Sequence, residues 1–291
     1  MRQPPPVLNL PRYPVTGGMI LLAIGTSIYG WAGHPIDALL DSPLIRDGEL
    51  WRLATTTMPH ANFIHLAFNA YWIWVFGTLI EDTFGPIRTL LLAILLAMVA
   101  SAAEYAFLDG GIGLSGVGYG YFGLMWVLST RDRRFEDAVD RNTITLFVVW
   151  FFVCIVTTLL KVMPIANLAH AAGCGMGAAI GFAIAASGPK RKWIAAADAV
   201  LAIGCVLLAM YGRPIVNVSG SYPDEARLGY AALCNNDNEQ AARWLRIAVK
   251  IAPREPGIWT NLGIAEDQLD NHPAAAAAFK RAGQLQSGNA E

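Results

Sequence analysis

Apolar residues in this chain run in long stretches broken by short polar connections. Seven stretches approach the roughly 20 residues that a helix needs to cross a bilayer core. They cover residues 14–33, 61–80, 88–107, 114–130, 143–163, 165–187 and 193–211, and predict a polytopic bundle of transmembrane helices. Residues 34–59 form a polar–apolar connection too long for a simple turn. This connection is expected on the membrane surface, with Trp51 as an interfacial anchor. From Ser221 onward the pattern becomes that of a soluble helical domain.

The tail repeats itself. Leu228-Gly229 recurs as Leu262-Gly263, Ala241 as Ala275, Leu245 as Phe279 and Ala248 as Ala282, each 34 residues apart. That period, closing on Pro253, resembles the tetratricopeptide repeat, and two copies span 222–286. Trp259 takes the aromatic position of the second copy, where the first has Glu225. Since about three repeats make a stable solenoid, two are expected to lean on the membrane domain or on a partner.

Composition agrees with the membrane reading: of 291 residues, 55% are hydrophobic and only 15% charged, against about a quarter charged in soluble domains. A net charge of −1 leaves no basic excess for nucleic acid. Cys154, Cys174, Cys205 and Cys234 show no C-x-x-C spacing, so neither a disulfide framework nor a metal site is expected. Arg2 and Arg12, then Arg131, Arg133, Arg134 and Arg141, then Lys190, Arg191 and Lys192 fall on one side if every span crosses. By the positive-inside rule that side is the cytoplasm, and seven crossings deliver the tail to the opposite face.

Polar residues inside the apolar stretches carry the chemistry, because hydrocarbon offers them nothing else to do. Ser115 stands in Gly113-Leu114-Ser115-Gly116, and His170 stands 55 residues on in a helix bearing Gly173 and Gly177. A hydroxyl and an imidazole are the minimum set for nucleophilic catalysis. Gly116 and Gly120 on the serine helix, like Gly173 and Gly177 on the histidine helix, form small-xxx-small grooves that let two backbones approach. His65 and Asn69 lie four apart and so share a helix face, as do Ser115 and Tyr119. His60 is read as a structural donor to loop carbonyls. Glu104 and Asp198 are read as interfacial carboxylates, and 131–141 as a solvated loop. Val117 breaks the hydrolase elbow G-x-S-x-G.

Taken together, Trp51-Arg52, the His60/His65/Asn69 run, Gly113-Leu-Ser115-Gly116 with Tyr119, and His170-x-x-Gly173-x-x-x-Gly177 resemble the rhomboid family of intramembrane serine proteases in order and placement. The resemblance covers 14–187 and implies six core spans, with a seventh as in the six-plus-one subtype. It makes Ser115 the nucleophile and His170 the general base of a dyad without an acidic third member. His65, Asn69, Gly113 and the Ser115 N–H would form or support the oxyanion hole, and Tyr119 would support His170. Glu81-Asp82, Trp51, Arg52 and the glycines Gly116, Gly173 and Gly177 would be structural.

The expected organisation is a cytoplasmic segment 1–13, a catalytic domain 14–187, a basic loop and seventh span over 188–212, and helical repeats over 222–286. No cofactor is implied. The expected partners are transmembrane substrates and the lipid bilayer, with a protein or substrate segment at the tail. A catalytically inactive, membrane-protein-binding relative is the alternative. A small-solute transporter would also bury polar residues at helix breaks, but these residues gather near one surface and no inverted repeat is present.

Overall fold

The computed structural model describes residues 3–218 and 224–287, and the described residues form helices, turns and loops only. Arg2 of the first basic cluster and the start of the tail at 219–223 lie outside them. The chain divides into two units, residues 1–219 and 220–291.

In the first unit, α1 (Pro14–Trp31) leads through the 34–59 connection and the short α2 (Arg52–Thr55) to α3 (Phe63–Phe84). Then follow α4 (Pro86–Phe107), α5 (Ser115–Ser129), α6 (Arg141–Leu159), α7 (Asn167–Ala185), α8 (Pro189–Leu207) with its π-helical extension Leu208–Gly212, and α9 (Arg213–Val216). Five are long and apolar enough to cross a membrane: α3, α4, α6, α7, and α8 with its extension. Of the seven expected spans, α1 and α5 fall outside that set.

Helix α5 has only 15 residues, against 22 in α4. Its length of about 22 Å is short of the roughly 30 Å hydrocarbon core. It is wrapped by its neighbours: Val117, Leu124, Met125 and Leu128 are fully buried. A helix inside the bundle does not have to match the bilayer, so its N-terminus can lie below the level of the surrounding helix ends, reached by a loop over 108–114. The loop is buried only at its end, at Gly113 and Leu114, next to Ser115.

Several charged residues near the helix ends satisfy backbone groups. Glu81 accepts from the Val15 and Thr16 N–H groups and from Thr16 Oγ1 (3.0, 2.9 and 2.7 Å), capping the otherwise unpaired N-terminus of α1. Asp82 accepts from Tyr13 Oη at 3.1 Å and pairs with Arg12. The 34–59 connection is more than a surface layer. Its Ile45 and Leu53 are fully buried in a small core with Ala102, Tyr105 and Ala106 of α4 and Ala209 after α8. Arg52 is buried, bonded to Glu49 (2.6 Å) and to the Asp37 and Leu40 carbonyls (2.7 and 2.9 Å). Trp51 beside it remains exposed.

Two sequence expectations are corrected. The 131–141 connection is not simply solvated: Phe135 is fully buried and stacked on Phe84 at 5.7 Å, with Ala138 and Val139 also inside. Its charges sit outside this apolar anchor, with Arg134 bound to Asp132. Nor is Glu104 interfacial. It is 3% exposed and accepts from the Ala169 N–H at 3.0 Å, so it serves the N-terminal turn of α7. An ionisable group that deep needs such partners, and an unpaired helix N-terminus supplies them.

The second unit consists of α10 (Asp224–Cys234), α11 (Asn238–Ile251), α12 (Pro256–Gln268) and α13 (His272–Gln286), packed as two hairpins around Ala241, Leu245, Ile258 and Ala265. The hairpins repeat one contact: Gly229 faces the Leu245 side chain, and Gly263 faces Phe279, 34 residues on in both partners. Arg246 reaches from α11 to α12 and grips Glu266 with two bonds of 2.7 and 2.9 Å. That grip holds the Glu266 carboxyl below its ordinary pKa.

Candidate active site

Helix α5 begins at Ser115, so the serine occupies the first helical position, immediately after a loop whose Gly110 and Gly113 take positive φ (80° and 105°). Those values suit glycine and disfavour other residues. His170 lies in the first turn of α7. Its Nε2 is 2.8 Å from Ser115 Oγ, a full hydrogen bond between two residues carried by different helices.

The approach of these helices rests on glycines, with a division of labour that the sequence pattern does not show. A Cβ on Gly173 would land on the Gly116 carbonyl oxygen, and one on Gly177 on the Gly120 carbonyl oxygen. A Cβ on Gly123 of α5 would land on the Cys174 carbonyl. The α7 groove therefore faces α5 as expected. The α5 groove does not return the favour: Cβ atoms on Gly116 and Gly120 would meet the Ala100 and Leu96 side chains of α4, at 2.7 and 2.8 Å. Helix α5 lies between two neighbours and uses different glycines for each.

The His170 ring is held by stacking. Tyr119, one turn along from Ser115, lies over it with centroids 4.6 Å apart and planes 22° from parallel, while its own hydroxyl donates to the Phe147 carbonyl at 3.2 Å. His170 Nδ1 is buried and has no hydrogen-bond partner among the described residues. With Ser115 Oγ–H donating to Nε2, the neutral ring carries its proton on Nδ1.

On the facing side, the Leu114 N–H donates to His60 Nε2 at 3.2 Å, and His60 Nδ1 bonds the Met58 carbonyl at 2.9 Å. The His60 backbone N–H donates to buried Ser27 Oγ at 3.0 Å, and Trp31 Nε1 donates to the His60 carbonyl at 2.8 Å. His60 thus fixes the residue before the serine. His65 packs edge-on to His60 (4.9 Å) and fills the space a Gly113 side chain would occupy. Asn69, one turn along α3, is buried with its Nδ2 donor unpartnered. A buried donor left unpaired costs on the order of 1–3 kcal/mol. Asp198 stands half-buried on α8, outside this cluster. No group of three or more potential metal ligands occurs among the described residues.

Three residues near the site had no assigned place in the sequence reading or a different one. Glu104 caps the helix that carries His170. Asp41 lies with both carboxyl oxygens buried against Gly110, facing the Gly111 N–H without completing a hydrogen bond. Arg213, buried just after α8 and its extension, bonds the Tyr105 and Leu108 carbonyls. The available signal for Glu104 was its charge inside an apolar stretch, which marks a residue with a specific partner.

A bundle of membrane-length apolar helices enclosing a hydrogen-bonded serine–histidine pair defines a class: polytopic helical membrane proteins. The family model agrees. Residues 47–187 match the Rhomboid domain, which spans α2 to α7 and supports kinship with the rhomboid family, generally serine intramembrane proteases. The match leaves α1, α8 and the helical tail outside it.

Proposed function

We propose that this protein is an intramembrane serine protease cleaving transmembrane proteins within or just beside their spans. The observation that carries the reading is the 2.8 Å contact between Ser115 Oγ and His170 Nε2 inside an apolar bundle. His170 takes the Ser115 proton as Oγ attacks the scissile carbonyl, then returns it to the leaving amine, and water hydrolyses the acyl-enzyme by the same steps. Asn69 Nδ2, His65 and backbone N–H groups at the start of α5 are the donors for the oxyanion. In place of an acidic third residue, Tyr119 stacking orients the base. No cofactor enters the mechanism.

The basic residues on the α1-start, 131–141 and 190–192 side support a cytoplasmic N-terminus and a site opening on the opposite face of a cell membrane. By the same count the tail is extracytoplasmic. Its paired hairpins with a 34-residue period support two tetratricopeptide-like repeats that hold a protein partner or a substrate's soluble portion.

Labelling detergent-solubilised protein with a fluorophosphonate tests the chemistry. Wild type is expected to label at Ser115 and to cleave a model transmembrane substrate, with Ser115→Ala and His170→Ala losing both. A folded wild type that neither labels nor cleaves would make the protein an inactive membrane-protein binder instead.

A further inference from the structure

One turn of α4 joins three parts of the molecule. Glu104 accepts from the N-terminal turn of α7, which carries His170. Leu108 opens the loop that ends at Ser115. The carbonyls of Tyr105 and Leu108, at the C-terminal end of α4, both accept from Arg213 Nη1. The Arg213 guanidinium lies 4.0 Å from the Tyr105 ring centroid, a cation–π contact, and is almost wholly buried. Two residues past α9, the Val218 N–H donates to the Phe107 carbonyl at 2.8 Å.

Three hydrogen bonds and one cation–π contact thus tie the segment after α8 to the turn from which the nucleophile loop departs. A positive side chain at a helix C-terminus is the favourable sign for the macrodipole. The planar guanidinium suits two carbonyls and a ring face together, which a lysine ammonium cannot match.

We infer that Arg213 is a positioning residue for the active site: by clamping residues 105–108 at the end of α4 it sets the loop that delivers Ser115 and, through Glu104, the start of the helix that delivers His170. The seventh span, outside the matched domain, is thereby part of the catalytic apparatus. This inference rests on the protease reading for its kinetic consequence, but the mechanical link stands apart from it.

The test compares full-length wild type, Arg213→Lys and Arg213→Ala in detergent. Cleavage of a transmembrane substrate should show kcat lowered by on the order of 10- to 100-fold in Arg213→Ala with KM little changed, since about 1 Å of misplacement between catalytic groups has that effect. Arg213→Lys should recover part of it by satisfying one carbonyl. Hydrogen exchange at the amides of residues 108–118 should quicken in Arg213→Ala while the amides of α3 and α6 keep their protection. Unchanged exchange over 108–118 would overturn the inference, as would wild-type kcat in Arg213→Ala or a loss of protection spread evenly over all helices. If wild type itself neither cleaves nor labels, the protease reading fails, and the exchange measurement alone decides the clamp.

Discussion

Gly173 lies so close to Gly116 that a side chain on it would occupy the position of the Gly116 carbonyl oxygen. The 2.8 Å Ser115–His170 bond depends on that approach, because the two residues sit one turn or less from it on α5 and α7.

Gly173→Ala should therefore push the helices apart and lower both activity and melting temperature, on the scale of the roughly 1–3 kcal/mol typical of overpacking. Gly175, two residues on, faces open space, and Gly175→Ala should change neither. Thermal melts and cleavage rates of the two variants check this. Equal behaviour would mean that the α5–α7 spacing is not set at Gly173.

Tyr119 separates ring from hydroxyl. Tyr119→Phe keeps the stack on His170 and loses only the bond to the Phe147 carbonyl, so it should stay near wild-type activity. Tyr119→Ala removes the stack, worth about 0.5–1.5 kcal/mol, and should lower kcat roughly 2- to 10-fold if that energy holds the base in place. A Phe variant as impaired as Ala would assign the role to the hydroxyl.

Asn69 presents a buried, unpartnered donor. If its acceptor is charge developing on the scissile carbonyl, Asn69→Ala should cost about 10- to 1,000-fold in kcat with substrate affinity nearly unchanged. Loss of affinity at constant kcat would make it a ground-state contact.

Burial pushes the Asp41 carboxyl well above the usual carboxylate range, opposed by the Gly111 backbone and by Arg213 and Arg52, and reinforced by Glu104. A carboxyl with a raised folded-state pKa binds its proton more tightly in the folded chain. Its contribution to stability is fully present below about pH 4 and is lost as pH rises toward the folded value, by about 1.4 kcal/mol per unit of separation. Asp41→Asn, which cannot ionise, should melt close to wild type at about pH 4.5 and above it at about pH 8. A constant difference across that range would show that Asp41 does not titrate with folding.

Cys234 is the one exposed cysteine of the four. With the tail outside, it should react with a membrane-impermeant maleimide applied to intact cells or spheroplasts. Deleting 222–291 should spare cleavage of a minimal transmembrane peptide and weaken that of a full-length substrate. Labelling only after permeabilisation would put the tail in the cytoplasm and end its substrate-presenting role.

The sequence by itself determined what is local. Runs of apolar residues place the helices to within a few residues: 88–107 corresponds to Pro86–Phe107, and 114–130 to Ser115–Ser129. Residue type at a given spacing made Ser115, His170, Asn69 and Tyr119 candidates, and the 34-residue echo marked the tail. Which neighbour each apolar face meets was left to the tertiary structure. Lipid and protein interior are almost equally apolar, so hydropathy could not reveal that Gly116 and Gly120 serve α4 while Gly123 serves α7. Nor could it show that Phe135 tucks into the bundle, that a 15-residue helix suffices for α5, or that Glu104 reaches across to cap α7. Arg213 is the clearest case. The two carbonyls it bonds lie 108 and 105 residues earlier in the chain, and only folding brings them together, because the segment after α8 and its extension arrives beside the end of α4.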